Sequence, residues 1–302
     1  MLAHNRSLRS RLSTTWRISR RELILLPVGF AAGARSGPVR FGIITDTHYA
    51  DRPAAAGRHY GLALQKMHRC VTLLENLHAR FLVELGDFKD QAAKPSEETT
   101  LAYLRSVEAA FARFRGDRFH VLGNHDMDSI SKQQFQSVVS NTGIEKGRTW
   151  FSWDAGFCHF TVLDANFRFD GAAYDKGNFD WQDANIPGPQ LEWLAADLKR
   201  AQRPTMIFVH QRLDEGGATS IANRKAVRQV LADSRKVSVV FQGHHHAGDF
   251  QIIDGIPYYT LVSAVESPDP ADSTCAVVEL LPKGAIQITG YQRAVSRRLA
   301  GR

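Results

Sequence analysis

The sequence has few cysteines and no long hydrophobic run. Its 302 residues include three cysteines, Cys70, Cys158 and Cys275, which are too few and too widely spaced for a disulfide framework or a cysteine-based zinc site. No apolar run approaches the ~20 residues that a membrane-spanning helix needs, which excludes a multi-span transporter or channel. With 43% hydrophobic residues, the chain has enough apolar material for a sizeable core and is not disordered.

The body of the chain also lacks the positive charge that the overall composition suggests. The net charge is +7, but the surplus lies at the two ends. Residues 1–34 carry six arginines and one acidic residue, and residues 292–302, predicted to be a basic C-terminal tail, carry four arginines and no acidic residue. Residues 35–291 therefore have a net charge of −2. A body that binds nucleic acid is not indicated.

The first 34 residues are typical of a targeting segment. Arg20 and Arg21 precede an apolar stretch over residues 23–34 that ends in small residues. This arrangement resembles a twin-arginine (Tat) signal peptide. It predicts recognition by the twin-arginine export machinery and a periplasmic or secreted protein. A merely basic or amphipathic leader, or an uncleaved anchor, is the alternative interpretation.

From residue 38 onward the pattern is that of an α/β domain, because short β-branched or aromatic runs alternate with segments of helical periodicity. Helices are predicted over residues 64–74, 101–114, 190–201 and 220–232. Strands are predicted over residues 39–45, 81–85, 119–122, 150–153, 157–163, 206–210 and 237–242, with a strand-rich end over residues 248–289. No internal repeat or low-complexity linker interrupts the chain, which favours one catalytic domain over residues 38–291.

Side chains that can bind metal ions follow five of the predicted strands. They lie in the motifs Asp46-Thr47-His48, Gly86-Asp87, Gly123-Asn124-His125-Asp126, His210, and Gly243-His244-His245-His246. The carboxyl ends of strands in an open α/β sheet lie at one edge, so these residues can converge there. Buried together, Asp46 and Asp87 would repel each other strongly without cations between them, which predicts a metal site.

Each motif alone has a plausible structural interpretation. Asp46 could be an N-cap, Asp87 a turn residue, and His210 a histidine satisfied inside the core. The histidines at 244–246 could be a surface cluster, and His245 is interpreted as nothing more than that. Five motifs in one order, each directly after a predicted strand, are much harder to explain by chance. The motifs and the predicted strands agree with each other, which is expected when the residues form one site.

In this order the five motifs resemble the calcineurin-like dinuclear metallophosphoesterases, whose signature is D-x-H, G-D, G-N-H-D/E, H and G-H-x-H. The resemblance spans about residues 39–291 and implies a four-layer α/β/β/α sandwich. It also implies two metal ions, Mn, Fe or Zn, whose ligands would be Asp46, His48 and His246 for the first, Asp87 as a bridge, and Asn124, His210 and His244 for the second. His125 would then be the catalytic acid, and Asp126 the residue that orients it.

Finer similarities point to one branch of this superfamily. Residues 57–60, 189–194 and 255–267 are similar to the branch that contains the manganese-dependent ADP-ribose/CDP-alcohol diphosphatases, and class III cyclic-nucleotide phosphodiesterases share the five motifs. The implied activity is hydrolysis of a small phosphomonoester, phosphodiester or nucleotide diphosphate by water that the two metals activate. A nuclease of the same fold and a non-catalytic metal-binding scaffold are the alternatives. Arg58 and Arg212 could hold a phosphate, although a solvated arginine is the simpler interpretation of each.

Overall fold

The structure, a computed structural model, describes residues 39–178 and 180–301, so the predicted signal peptide lies outside the described residues. Within these ranges no helix is both long and apolar enough to cross a membrane. The elements follow one another in chain order as β1 (Arg40–Ile44), α1 (Ala63–Asn76), β2 (Phe81–Glu84), α2 (Glu97–Phe111), β3 (Asp117–His120), α3 (Lys132–Val138), β4 (Phe151–Ala155), β5 (Cys158–Val162), α4 (Gly188–Arg200), β6 (Thr205–Phe208), α5 (Arg224–Ser234), β7 (Val237–Gln242), β8 (Asp249–Ile253), β9 (Ile256–Thr260), β10 (Cys275–Leu280), β11 (Ile286–Tyr291) and β12 (Arg297–Leu299).

The strands form two mixed sheets of six. Their orders are β12-β11-β10-β1-β2-β3 and β4-β5-β6-β7-β9-β8. Strands β1, β2 and β3 are parallel neighbours, and so are β5, β6, β7 and β9. Parallel neighbours end at the same edge of their sheet, so the loops that follow β1, β2 and β3 lie side by side, as do those that follow β6 and β7.

Three hydrophobic cores separate four layers. The central core lies between the two sheets and contains Phe41 and Phe81 from the first sheet with Phe160, Phe208 and Phe241 from the second. The Phe41 ring stacks on Phe81 with centroids 4.6 Å apart and meets Phe160 edge-on at 5.6 Å, both favourable aromatic arrangements. A second core lies under α1, α2 and α3, and a third under α4 and α5. The prediction of an α/β/β/α sandwich in one domain is confirmed.

Local sequence explains where two of the helices begin. At α2 the Ser96 side chain accepts a hydrogen bond from the Thr99 backbone N–H, and acidic residues occupy the first turn. At α3 the Ser131 hydroxyl accepts from the Gln134 N–H while the Gln134 side chain accepts from the Ser131 N–H. Both arrangements satisfy N–H groups that the first turn of a helix leaves unpaired.

The chain remains in the first sheet beyond the predicted boundary at residue 291. Strand β12 pairs antiparallel with β11, and Leu299 is buried in the core between the sheets. The guanidinium of Arg297 lies 4.0 Å from the centre of the Phe250 ring, a cation–π contact. The prediction of a separate basic tail over residues 292–302 is therefore wrong, because Ala294 and Leu299 of this segment are buried in the core and β12 pairs with β11.

An ion-pair cluster around the buried residues His159 and Asp197 joins β4, β5 and α4. His159 Nδ1 lies 2.7 Å from Asp154 Oδ1, and His159 Nε2 lies 2.9 Å from Asp197 Oδ2. Burial opposes charge on His159, but its hydrogen bonds with Asp197 and Asp154 raise the pKa above the ordinary value. Burial also opposes charge on Asp197, yet His159 and Ser152 lower the pKa of this carboxyl. The cluster therefore stabilises the fold most at pH values at which His159 is protonated and Asp197 is ionised.

This cluster predicts a pH-dependent contribution to stability. A raised histidine pKa gives stability that is fully present below the unfolded pKa of about 6.5 and is lost as the pH rises through the folded pKa. We expect His159→Asn to lower the free energy of unfolding of the metal-free protein by about 1.5–3 kcal/mol at pH 6 and by clearly less at pH 9, measured by urea unfolding. His78→Asn, at an exposed turn, is the control. An equal loss at both pH values would contradict the ion-pair interpretation.

Candidate metal centre

The five predicted motifs meet at the carboxyl ends of β1, β2, β3, β6 and β7. The side chains of Asp46, Asp87, Asn124 and His210 are buried there, and those of His244 and His246 join them from the loop after β7. Residues that are far apart in sequence thus form two groups of potential ligand atoms, each within 4.8 Å of one another, around Asp46 and around Asp87.

The first group consists of Asp46, His48 and His246. The Asp46 Oδ1 atom lies 3.7 Å from His48 Nε2 and 3.3 Å from His246 Nε2, and the two Nε2 atoms are 3.2 Å apart. The other oxygen, Asp46 Oδ2, is already occupied, because it accepts hydrogen bonds from the Thr45 hydroxyl and the His244 N–H. One carboxylate oxygen and two imidazole nitrogens therefore face a common point.

The second group consists of Asp87, His210 and His244, with the Asn124 side chain lining the same cavity. The Asp87 Oδ2 atom lies 3.2 Å from His210 Nε2 and 3.5 Å from His48 Nε2 of the first group. Its other oxygen accepts a hydrogen bond from the His125 N–H at 2.8 Å. Asp87 thus directs one oxygen between the two groups, which is the position a carboxylate shared by two cations would need.

Several of these atoms are buried without a hydrogen-bond partner among the described residues. They are Asp46 Oδ1, Asn124 Oδ1, His210 Nε2 and His244 Nε2. Buried polar atoms in folded proteins are nearly always satisfied, so a set left unpaired and facing the same space indicates a missing partner. Carboxylate, amide oxygen and imidazole nitrogen are all ligands of first-row divalent metals. The donor set therefore fits two metal ions.

Two histidines are fixed in the tautomer that metal binding requires. His210 Nδ1 lies 2.8 Å from the Leu85 carbonyl oxygen, and His246 Nδ1 lies 2.8 Å from Glu266 Oε1. Since a carbonyl or carboxylate oxygen can only accept, Nδ1 of each ring carries a proton, and Nε2 faces the site as the nitrogen that can bind a metal once it is deprotonated. Glu266 is a residue that the sequence interpretation did not place at the site.

The backbone around the site is strained. Asp46, His48, Asp87 and His244 all have positive φ angles, between 44° and 65°, a region that residues with a side chain rarely adopt. Such conformations persist only where the surrounding structure enforces them, and they cluster at functional sites. The local strain is consistent with selection for ligand position rather than for stability.

Glycines allow the ligand loops to approach one another closely. A Cβ atom on Gly123 would lie 2.1 Å from the Asp87 backbone nitrogen, and one on Gly86 would lie 2.6 Å from His210 Nδ1. Gly86 also has a φ of +101°, which favours glycine. Any side chain at these two positions would push the loops that carry Asp87 and His210 apart.

Burial and mutual proximity perturb the charges of the ligand side chains in the metal-free protein. Burial works against ionisation of Asp46 and Asp87, but the surrounding histidines hold the pKa of each carboxyl below its ordinary value. Burial likewise opposes charge on His210, yet Asp87 raises its pKa to about 10. For His244, burial and then the neighbouring His210 charge lower the pKa to about 3. A proton on His210 thus partly offsets the two carboxylates.

Metal binding should therefore release a proton. A metal ion needs the His210 Nε2 lone pair, which the proton occupies below a pH of about 10, so metal and proton compete. Burial opposes charge on His246 too, but Asp46 raises the pKa of this second ligand as well. We expect the affinity of the metal-free protein for Mn²⁺ to rise at least tenfold per pH unit between pH 6 and 8, and isothermal titration in buffers of different ionisation enthalpy to show at least one proton released. An affinity that does not change with pH would contradict this charge assignment.

The carboxylate that lies beside the His125 imidazole is that of Asp90. His125 Nδ1 lies 3.6 Å from Asp90 Oδ2, and His48 Nδ1 lies 3.4 Å from the same oxygen. Burial opposes ionisation of Asp90, but the neighbouring His125 and His48 imidazoles hold the pKa of this carboxyl well below the ordinary range. Arg58 Nη1 lies 3.4 Å from His125 Nε2 and 3.4 Å from Asp90 Oδ2. Asp90 therefore holds both imidazoles and an arginine at the mouth of the site.

Asp126 has a different position from the one predicted. Its carboxylate accepts hydrogen bonds from the backbone N–H groups of Gly123, Asp87, Phe88 and Lys89, at 2.8–3.4 Å. The prediction that Asp126 orients the His125 ring is therefore wrong. The carboxylate instead ties the loop after β2 to the loop after β3. Burial, with the negative charge of Asp87 next, raises the pKa of Asp126 to about 6.

Lys89 supports His125 through the backbone. Its Nζ donates to the His125 carbonyl oxygen at 2.6 Å and pairs with the Asp128 carboxylate. The Lys89 side chain is fully buried, so its charge depends on these partners. Lys89, Asp126 and Asp90 together fix where the His125 loop lies.

The remaining sequence interpretations are resolved by the contacts. Arg212 is not solvated, because it is buried and pairs with Asp214 and Asp249. His245 is not one of the described residues that line the cavity. The cavity at the site has a volume of about 330 Å³ and is lined by Arg58, Asp87, Asn124, His125, Trp181, Thr219, His244 and His246. Trp181 and Thr219 had no signal in the sequence, since they come from loops without a motif.

Comparison with known proteins gives a consistent result. The model of the family described as calcineurin-like phosphoesterase matches residues 39–248. A manganese-dependent ADP-ribose/CDP-alcohol diphosphatase from Oryza sativa is 23% identical over 83% of this chain and 91% of its own length. A protein of Rhodopseudomonas palustris named "Probable cyclic nucleotide phosphodiesterase" is 22% identical over 73% of this chain and 76% of its own length. A dimetal phosphatase structure from Danio rerio covers 88% of this chain and 100% of its own, with a TM-score of 0.76 and 21% identity.

Proposed function

Because this chain belongs to the calcineurin-like phosphoesterase family, and is thus a hydrolase of phosphoester bonds, we propose that it cleaves small phosphoesters with two metal ions held by its two ligand groups. Asp46, His48 and His246 would hold one ion, and His210, His244 and Asn124 the other, with Asp87 shared. The observation that carries the proposal is the set of buried ligand atoms, from both groups, that have no hydrogen-bond partner among the described residues.

When bound, two such ions neutralise charge on the phosphoryl oxygens and lower the pKa of a coordinated water. The chain's own contribution is positioning. The strained backbone and the hydrogen bonds to Asp46 Oδ2 and Asp87 Oδ1 fix which carboxylate oxygens remain available. The Nδ1 protons of His210 and His246 are likewise held by fixed acceptors, so the site is organised before substrate arrives.

We assign the role of general acid to His125. Asp90 Oδ2 lies beside His125 Nδ1, and His125 Nε2 faces Arg58 at the cavity. From Nε2 the imidazole would donate a proton to the leaving oxygen of the substrate, while the Arg58 guanidinium would attract a non-bridging phosphate oxygen. Asp90, rather than Asp126, is the positioning carboxylate in this proposal.

We further propose that water attacks phosphorus directly. No serine or cysteine lines the cavity among the described residues, which disfavours a covalent seryl or cysteinyl intermediate. A single in-line displacement inverts the configuration at phosphorus. We expect inversion when a chiral, isotopically labelled phosphorothioate ester is hydrolysed and the product is analysed by ³¹P NMR. Net retention would indicate two displacements and would contradict this step.

The substrate class we propose is small phosphate compounds, including nucleotide diphosphates and diesters. Relatives named as ADP-ribose/CDP-alcohol diphosphatases from rice and Arabidopsis thaliana support this choice. A cavity of about 330 Å³ is at the small end of ligand pockets. The net charge of −2 over residues 35–291 argues against a nuclease, because backbone contacts to nucleic acid need a basic surface.

A substrate panel tests this proposal. The purified protein, reconstituted with Mn²⁺, would be assayed with bis-p-nitrophenyl phosphate, p-nitrophenyl phosphate, ADP-ribose and single-stranded DNA. We expect turnover of at least one small ester and no turnover with metal-free protein. Preferred cleavage of DNA would favour the nuclease, and no turnover of any ester with the full metal complement would favour a scaffold without catalysis.

We also propose that the protein is exported by the twin-arginine route, which rests on Arg20, Arg21 and the short apolar stretch after them. Expression of the full chain in bacteria with and without a working twin-arginine translocase tests it. We expect export only in the competent cells, and loss of export with an Arg20→Lys, Arg21→Lys double substitution. Export that persists both without a working translocase and with the double substitution would contradict the proposal.

A further inference from the structure

Trp181 lines the cavity of the metal centre, and we propose that its indole is a stacking surface for a planar ring of the substrate. The inference rests on the proposed function and narrows it to phosphoesters that carry a heteroaromatic ring, such as nucleotides. Trp181 does not belong to any of the five motifs and lies in the loop between β5 and α4.

The indole lies at the edge of the ligand cluster and remains accessible. Trp181 lines the cavity together with Thr219, and its ring centroid lies 6.1 Å from that of His244 at an interplanar angle of 57°. The residue is 44% exposed. A large apolar ring left open beside a buried polar centre gains contact area when a second flat ring covers it.

Hydrogen bonds hold the loop on both sides of Trp181. The hydroxyl of the buried residue Tyr174 lies 3.0 Å from the carbonyl oxygens of both Asp180 and Asp183. The Asp180 carboxylate accepts from the Gln182 N–H at 3.0 Å. The exposed ring thus belongs to a hydrogen-bonded turn, and a ligand that stacks on it need not order the loop first.

The same cavity also has a cationic side chain. The Arg58 guanidinium, within 3.4 Å of His125 Nε2, lines the cavity together with Trp181 and His244. A ligand that carries both a phosphate and a flat ring matches this lining, because guanidinium suits phosphate oxygens and indole suits a π-face. A phosphoester with only an aliphatic alcohol would use the phosphate contacts alone.

Stacking of this kind favours rings in general and does not distinguish one base from another. Stacking on an aromatic side chain depends on the π-face that every base has, and it carries enough free energy to change affinity about tenfold or more. The structure therefore assigns to Trp181 a preference for nucleotide-like over aliphatic phosphoesters, and no choice among the bases.

Binding of a nucleoside without phosphate tests the inference separately from catalysis. Adenosine would be titrated by calorimetry into metal-free wild-type protein and the variants Trp181→Ala, Trp181→Phe and Phe169→Ala. Phe169 is the matched control, since it is an aromatic residue of the same loop, 78% exposed, that does not line the cavity among the described residues. We expect Trp181→Ala to weaken adenosine binding about tenfold, Trp181→Phe to retain most of it, and Phe169→Ala to bind like wild type.

The Mn²⁺-loaded protein provides a second readout. The ratio of kcat/KM for ADP-ribose to kcat/KM for the ring-free diester glycerophosphocholine should fall about tenfold in Trp181→Ala, mainly through KM for ADP-ribose. Unchanged adenosine binding in Trp181→Ala, or an unchanged substrate ratio, would overturn the inference. Adenosine binding that depends on Trp181 in a protein that hydrolyses no ester would support the ring site and refute the proposed hydrolysis, so the two failures are distinguishable.

Discussion

Replacement of Asp87 by asparagine is expected to abolish hydrolysis and to remove metal. The amide keeps an oxygen that can accept from the His125 N–H, but it replaces the oxygen that faces both His210 and His48 with a group that cannot bind a cation. We expect kcat/KM for bis-p-nitrophenyl phosphate to fall about 10³-fold or more, equivalent to about 4 kcal/mol of transition-state stabilisation. Elemental analysis should find fewer than two ions per chain.

Asp117→Asn is the matched control for this substitution, because Asp117 is an exposed residue at the start of β3. It should keep both the metal content and the rate of wild type. If Asp87→Asn retained two ions and wild-type turnover, Asp87 would not be a shared ligand, and the proposed arrangement of two ions around it would be wrong.

Replacement of His125 by alanine is expected to remove most of the activity while leaving the metal in place. The backbone N–H that binds Asp87 is unchanged by this substitution, so the ligand set remains intact. Loss of a general acid typically costs about 10²–10⁴ in rate, and the loss should be largest for a poor leaving group. We therefore expect a much larger decrease in kcat for an alkyl leaving group than for p-nitrophenolate.

The leaving-group dependence separates two roles for His125. An acid that protonates the leaving oxygen matters little when that oxygen is already a stable anion, whereas a residue that only holds phosphate would affect both substrates equally. Asp90→Asn should reproduce the same pattern to a smaller degree, since Asp90 acts through the imidazole. Equal losses for both leaving groups in His125→Ala would refute the general-acid assignment.

The sequence allowed prediction of the side chains that converge, because each follows a parallel strand and the end of such a strand has a fixed place in the fold. Asp46, Asp87, Asn124 and His210 are brought together in this way. The sequence shows that each of these residues follows an apolar, strand-like run, and this pattern can be recognised without any distances. The resemblance of the five motifs to the calcineurin-like metallophosphoesterases predicted the four-layer sandwich.

Contacts that depend on loop paths could not be predicted in the same way. Asp90 lies three residues after Asp87, so it was close in sequence, but only the course of the loop after β2 places it against His125 rather than in solvent. Glu266 reaches His246 from the loop between β9 and β10. The family resemblance implied that Asp126 orients the His125 ring, yet its carboxylate turns back to the backbone of its own and the neighbouring loop.

The two-metal arrangement is tested most directly by anomalous diffraction at the manganese edge from crystals grown with Mn²⁺. We expect two peaks about 3.5–4 Å apart, one bounded by Asp46, His48 and His246 and the other by Asn124, His210 and His244, with Asp87 between them. A single peak, no peak among these side chains, or peaks elsewhere on the molecule would show that the two ligand groups do not hold two ions.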